Sequence, residues 1–533
     1  MTPAEILTES RASSIATKPD SLLKPALFWF GIAVLAIIVL YARLLHLSFD
    51  GDYQGWASAS CMTMAHSFNQ LGALHTHFVP IQNNLPLGSD PDVYLHWPPL
   101  FPFLLSVVTR VLGDHESSGR LFALVITLGT TFVVGAIARR YYGAQTAFLA
   151  GFFFLTFRTT FEGGRAILHQ PLAMFFGSAT VLFFLLAVDV RLAEGRRRLF
   201  AALSVVSTVC SMLTAWDPAF IPLGLLLSSI YLRRREAIRL ASLNTLAGIA
   251  TFLAVQANYI LAYPQLFKNQ FATIAYRAGL NFNAASSTRL HTIVDQVHYL
   301  GGKLTFFGTL SHIFLWIFGG IGSFSLLAGF LFFANWLQSN RRENSIAVYI
   351  LGGLCLPWLL FFVIMRNYVA IHPFPLVLVT PFLAIASGFV LNRIWEVLSA
   401  AAINRHYLRV MILILPLITM YPILINIRDA RVPEQRPEFQ DLSTLIQRNT
   451  PPDAVTLSPA ESAVPIYYSD RHIVRGIVTP DLLRQAIPQA RVDFASSSLF
   501  FALHDTDLAS FTDMLQHFTL VAHQGNSTLY RIP

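Results

Sequence analysis

Two carboxylates come first. Asp50 and Asp52 lie in the run FDGDYQGWASA, directly after an apolar stretch at 25–48. A carboxylate held at a bilayer edge is partly desolvated and close to lipid headgroups, so it can serve as a general base toward a hydroxyl or amine. The same placement also suits a helix cap or a solvated interfacial acid. Further along, His96 and Trp97 precede Pro98–Pro99 in VYLHWPP. An interfacial histidine can hold a phosphate, as a cation or as a hydrogen-bond donor. Tyr94 and Trp97 by themselves read as an aromatic belt. His66, His75 and His77 are spaced like no specific zinc site, and no cysteine pair accompanies them.

A second group sits in EGGRAILHQP, where Glu162, Arg165, His169 and Gln170 lie between two apolar stretches. Ionisable side chains at membrane depth are costly and are functional candidates by default; the alternative is that they stand in water at the boundary. Arg277, Arg289 and Lys303 make a later polar segment basic, and Arg366 adds another cation. Such cations call for an anion, and phosphate, which a guanidinium binds in bidentate fashion, is the natural one. Contact with lipid headgroups is the competing use.

The elements that must position these residues follow from composition. Of 533 residues, 54% are hydrophobic and only 12% charged, with a mean hydropathy of +0.54. Soluble domains carry about 25% charge, so a cytosolic enzyme, a disordered chain and a fibrous repeat are excluded. Three cysteines, Cys61, Cys210 and Cys355, are too few for a disulfide scaffold. The net charge of +8 orients loops and does not indicate nucleic-acid binding.

Apolar stretches long enough to cross a bilayer are expected at 25–48, 118–138, 145–161, 171–189, 199–215, 218–232, 240–262, 306–336, 346–364, 373–392 and 409–427. Arginines cluster at Arg139–Arg140, Arg196–Arg198, Arg233–Arg235 and Arg341–Arg342, with a looser group at Arg393, Arg405 and Arg409. All fall on the inner side if the N-terminus is inside and 98–113 lies on the outer interface without crossing. The expected architecture is an all-α polytopic membrane protein of about 11 spans (range 11–13), with interfacial helices in the first outer loop. Residues 1–24 read as a polar cytoplasmic tail without the features of a cleavable signal peptide, 25–427 as the membrane domain with its first outer loop at 49–117, and 428–533 as a small outer α/β domain. In that tail, PPDAVTL suggests a turn and strand, PDLLRQAI and DLASFTDMLQHF helices, and SLFFALH, FTLVAH and STLYRI strands. Asn526-Ser527-Thr528 fits a glycosylation acceptor pattern.

There is no Walker A motif, no GxSxG elbow and no clear pair of matching halves with broken helices. Taken in order, FDGDYQGWASA, YLHWPPLFPFLLSVVTRVLG, SSGRLFALVITLGTTFVVGAIARRYYG, GRAILHQPLAMFF and RNYVAIHPFPLVLVTPFLA resemble the polyprenyl-phosphate-dependent GT-C membrane glycosyltransferases. Within these the chain is similar to bacterial relatives of the protein O-mannosyltransferases and to the lipid A aminoarabinose transferases. The likeness spans roughly residues 25–400. Its order and spacing are specific for the superfamily and say little about substrate.

The resemblance implies roles. Asp52, with Trp56–Ala57 behind it, matches the catalytic acid best and Asp50 second, as the base that activates the acceptor. His96 is implied in holding the donor phosphate; some relatives carry a lysine where this chain has Trp97. Arg277 and Arg366 would neutralise the departing polyprenyl phosphate, with Tyr368 and His372 nearby. Relatives often carry an acid where this chain reads His169–Gln170–Pro171. Gln170 cannot be a base, so His169 or Glu162 takes over, the acid is dispensable, or the chain is an atypical or inactive member. The implied enzyme is an inverting GT-C hexosyl- or pentosyltransferase of the plasma (inner) membrane. Its partners would be a polyprenyl-phosphate-linked sugar donor, membrane lipid and a glycan, lipid or protein acceptor, with the site and the C-terminal domain on the outer or periplasmic face. It needs no certain cofactor, and a divalent metal stays open. A lipid-linked substrate transporter or flippase, another lipid-phosphate enzyme and a non-catalytic glycan-assembly protein are the alternatives.

Overall fold

The computed structural model describes residues 23–46, 48–49, 55–82, 93–264, 274, 277–278, 322–338, 345–365, 368, 374–400, 438–460, 462–494 and 497–533. The expected span at 409–427, the first half of 306–336, and the site candidates Asp50, Asp52, Arg366 and His372 lie outside them.

The described chain is mostly helical. Helices α1 Leu23–Arg43, α2 Gly55–Ser67 and α3 Leu100–Leu112 lead into the long α4 Glu116–Thr156 and the short α5 Arg158–Arg165. Then come α6 His169–Ala187, α7 Glu194–Met212, α8 Phe220–Tyr231 and α9 Arg235–Ala262. After the undescribed stretch follow α10 Gly322–Gln338, α11 Ser345–Ile350, α12 Leu356–Ile364 and α13 Thr380–Ala400. Among the described residues, five stretches are long and apolar enough to cross a membrane: Glu116–Thr156, His169–Ala187, Arg235–Ala262, Ile346–Ile364 and Leu376–Val397.

α4 is two helices joined at Gly143, whose φ of 91° only glycine adopts without strain. The break separates the stretches 118–138 and 145–161 that the apolar pattern distinguishes. The expected loop at 162–170 differs: Glu162 and Arg165 are helical, in α5, and α6 begins at His169. Extended backbone at Phe157, Ala166 and Leu168 turns the chain between them.

Helices α6 to α9 alternate between two ends of the bundle. At one end Arg140 and Arg191 pair with Asp189 at 2.7 and 2.8 Å, and Arg197 pairs with Glu236. These residues come from the α4 break, the α6–α7 turn and the first turns of α7 and α9. The opposite end gathers the start of α6, the α7–α8 turn and the end of α9. Glycines let the helices between the ends approach closely. A Cβ on Gly388 of α13 would lie 2.8 Å from backbone atoms of Thr146 and Ala150 in α4, and one on Gly224 of α8 would lie 1.8 Å from the Gly352 carbonyl.

The C-terminal residues form a five-stranded sheet of order β2-β1-β3-β5-β4, from β1 Val455–Leu457, β2 His472–Val474, β3 Leu499–His504, β4 Thr519–Gln524 and β5 Ser527–Arg531. β1 is parallel to β2 and β3, and the β3–β5–β4 side is antiparallel. Because strand side chains alternate, Leu499, Phe501 and Leu503 pack with Leu483 and Phe511 on one face. Phe500 and Ala502 pack with Leu442, Leu445 and Ile446 on the other. Strand β2 and the helices Glu438–Asn449 and Val464–Ser469 have no counterpart in the sequence reading, being short or set among loop residues. Ala463 and Val464 share a buried cluster with Phe49, Met62 and Phe101 of the preceding region. Arg475 also donates to Gln82 Oε1 at 3.0 Å, and Gln82 in turn to Ser60 Oγ at 2.8 Å.

Candidate functional site

The segment Val93–Pro99 is pinned from both sides. Val93 bridges Ile81, the Tyr94 N–H donates to the Pro80 carbonyl at 2.7 Å, and the Tyr259 hydroxyl donates to the Trp97 carbonyl at 2.8 Å. The double proline then starts α3, whose Leu100 N–H reaches back to the Leu213 carbonyl at 2.9 Å. These bonds bury Trp97 and leave His96 half-buried, its ring 5.3 Å from that of Tyr94 in an edge-on contact.

Trp97 is the centre of the cluster. The Arg277 guanidinium lies 5.6 Å from its ring centre and 4.8 Å from that of Tyr368, and the two rings are 5.8 Å apart. A guanidinium against aromatic faces keeps its charge while its planar orientation is set. Tyr368 is buried, and its hydroxyl accepts a hydrogen bond from Gln170 Nε2 at 3.2 Å. His169 is packed among Phe101, Tyr94 and Trp97 at 5.1, 6.1 and 6.1 Å, with Cys61 Sγ 3.8 Å from its Nδ1. Asp217, in the turn between α7 and α8, is buried within electrostatic reach of Arg277 and Tyr368. Burial pushes its carboxyl up to about 7, while Arg277 pulls the other way.

Glu162 and Arg165 form a separate pair, with Arg165 Nε donating to Glu162 Oε2 at 2.8 Å. The Arg165 carbonyl accepts from buried Arg120 at 3.1 Å, and Arg120 lies 5.5 Å from the Phe49 ring centre. Arg165 is buried and Glu162 largely so. Close by, the backbone at Gly55 approaches that of Phe49. A Cβ on Gly55 would sit 1.7 Å from the Phe49 carbonyl oxygen, so only glycine permits that approach.

Of the expected site residues, His96, Arg277, Tyr368, His169 and Gln170 thus meet around Trp97, directly or through Tyr94 or Tyr368. Sequence reasoning missed Asp217, whose signal was an acid followed by proline in a very short turn between apolar stretches. It also missed Tyr259, which lies inside an apolar helix and carries no local signal. Among the described residues no three His, Cys, Asp or Glu side chains converge as metal ligands. His66 instead bridges Asp114 and Asp470.

The fold and part of the chain match known proteins. The dolichyl-phosphate-mannose-protein mannosyltransferase family matches residues 96–260, a stretch that starts at His96 and ends beside Tyr259. The fold is similar to that of ArnT from Cupriavidus metallidurans bound to undecaprenyl phosphate, with a TM-score of 0.66 at 13% identity, covering 94% of this chain and 98% of that one. It is also similar to the archaeal oligosaccharyltransferase AglB from Archaeoglobus fulgidus in complex with an inhibitory peptide and a dolichol-phosphate. That match has a TM-score of 0.54 at 10% identity, covering 94% of this chain and 74% of that one. No curated protein matches the chain by sequence. The family match over residues 96–260 and the shared fold are in line with the resemblance read from the motifs.

Proposed function

We propose that this protein transfers a sugar from a polyprenyl-phosphate donor to a glycan, lipid or protein acceptor at the outer face of the plasma membrane, with inversion at the anomeric carbon. The observation that carries this reading is the Arg277 guanidinium set against Trp97 and Tyr368, beside His96, at the end of the bundle opposite the arginine-rich turns. A cation oriented in a buried aromatic setting suits a lipid-borne phosphate, whose charge it neutralises as the sugar departs. The arginine-rich turns support a cytoplasmic placement for the other end. The bound lipids named for ArnT and AglB, undecaprenyl phosphate and dolichol-phosphate, support the donor class.

In the proposed reaction Asp52, with Asp50 as the second candidate, takes the proton of the acceptor hydroxyl or amine. The freed electron pair attacks the anomeric carbon, and the bond from that carbon to the phosphate oxygen breaks. The oxygen leaves with the bonding pair. Arg277 and Arg366 balance the charge on the leaving phosphate, His96 holds its oxygens, and Tyr368 and His372 complete the lining. The phosphoester already activates the sugar, so no nucleotide is consumed. Ala463, Val464 and Tyr468 of the C-terminal region pack against Phe49 and its neighbours beside this end.

The test is transfer from a lipid-linked sugar in membranes carrying wild type, Asp52→Asn or Asp50→Asn. Asp52→Asn is expected to lose activity by roughly 10²–10⁴-fold, while Asp50→Asn retains most of it. Full activity in Asp52→Asn defeats the base assignment, and release of phosphate or lipid without sugar transfer defeats the reaction class.

A further inference from the structure

Asp217 is, among the described residues, a buried acid of the Trp97 cluster that the reaction above does not use. Its side chain is 1% exposed, and neither Oδ1 nor Oδ2 has a hydrogen-bond partner among the described residues. A buried carboxyl without a partner is costly, and folds retain such a group where something else supplies the missing bond. Arg277 is the cation whose field reaches it, yet that guanidinium lies over the rings of Tyr368 and Trp97, and no ion pair joins it to Asp217 among the described residues. The field of Asp217 also reaches Tyr94 and Tyr368, so the acid belongs to the same cluster. His169 Nε2, in that cluster, is likewise buried and without a hydrogen-bond partner among the described residues.

A guanidinium and a carboxyl held apart in one buried cluster complement a ligand that is anionic at one end and rich in hydrogen-bond donors at the other. A phosphate on Arg277 leaves the carboxyl facing whatever that phosphate carries. A second anion there is repelled, and an apolar group leaves the acid unsatisfied. A sugar linked through its anomeric carbon to the phosphate supplies donors within the width of one ring. We propose that Asp217 is a specificity-determining residue that accepts a hydrogen bond from a hydroxyl or ammonium group on the sugar of the donor. This rests on the donor reading given above.

The test uses the full chain in lipid nanodiscs and measures binding of three probes: undecaprenyl phosphate, undecaprenyl phosphomannose and undecaprenyl phospho-aminoarabinose. Asp217→Ala is expected to weaken binding of a sugar-bearing lipid by about tenfold or more while undecaprenyl phosphate stays within about twofold of wild type. Asp217→Asn, which keeps an acceptor oxygen and the side-chain shape, is expected to fall between. A loss for both sugar lipids identifies a hydroxyl contact, and a loss for the amino sugar alone identifies an ammonium contact; either supports the assignment. Unchanged binding of both sugar lipids overturns it, as does an equal loss for undecaprenyl phosphate, which marks a structural or phosphate-holding role. A wild-type chain that binds none of the three probes overturns the donor reading itself.

Discussion

The Tyr468 hydroxyl accepts a hydrogen bond from the Phe49 N–H at 3.0 Å and donates one to Glu116 Oε1 at 2.5 Å. Phe49 is the last described residue before the segment that holds Asp50 and Asp52, and Glu116 opens α4. A C-terminal tyrosine therefore ties Phe49 to the first residue of α4. Tyr468→Phe removes both bonds with little change in packing. The expected outcome is a kcat about tenfold lower, with KM for the lipid donor nearly unchanged, because orientation is lost while phosphate binding is kept. Steady-state transfer kinetics at varied donor check this, and a rise in KM with unchanged kcat counts against it.

Arg277 carries the proposed phosphate contact. Arg277→Gln is expected to weaken undecaprenyl-phosphate binding by roughly 30-fold, since a charge-assisted contact is lost. Arg277→Lys keeps the charge and loses the planar face that meets Trp97 and Tyr368. It should therefore recover only part of the affinity. Binding titrations in nanodiscs decide, and equal affinity in Arg277→Gln and wild type removes Arg277 from the site.

Close helix packing makes Gly224 sensitive. Its missing side chain is replaced by the Gly352 carbonyl, which a new Cβ would approach to 1.8 Å. The carbonyl is backbone and a Cβ is fixed in place by its own backbone, so no side-chain rotation relieves the clash. Gly224→Ala is expected to destabilise the protein by about 1–3 kcal/mol. Thermal unfolding in detergent should show a lower midpoint, with Gly195→Ala, at an open position, unchanged.

His66 supplies a pH dependence. Its side-chain hydrogen bonds to Asp114 and then Asp470 raise it from the ordinary histidine value to about 9, against partial burial. The folded state thus favours the protonated ring. Its stabilising contribution is complete below the unfolded value near 6.5 and disappears as pH rises through about 9. Unfolding midpoints measured from about pH 6 to about pH 10 should fall more for wild type than for His66→Gln, which has no such proton to lose. Parallel curves for the two proteins rule the contribution out.

The candidate site was partly legible in the chain. Asp50, Asp52, His96 and Arg277 draw notice because charged or polar side chains beside long apolar stretches need a reason to be there. That Arg277 meets Trp97 and Tyr368 was not legible, because the three lie far apart in sequence and nothing local relates them. Asp217 carries only the local signal of an acid before a proline between two apolar stretches. Only its burial, decided by helices from distant parts of the chain, distinguishes it from a solvated loop acid.

By itself the sequence determined how often the chain has apolar stretches, where arginines interrupt them, and where four of the five C-terminal strands fall. Those properties depend on neighbours along the chain: hydrophobic length, charge density and alternation. The tertiary structure alone decided which polar groups are buried together, that Tyr468 reaches back to Phe49, and that the Arg277 guanidinium faces rings instead of the Asp217 carboxyl. Contacts of that kind depend on the order in which helices pack side by side, and residue spacing within one helix carries no record of which helix lies next to it.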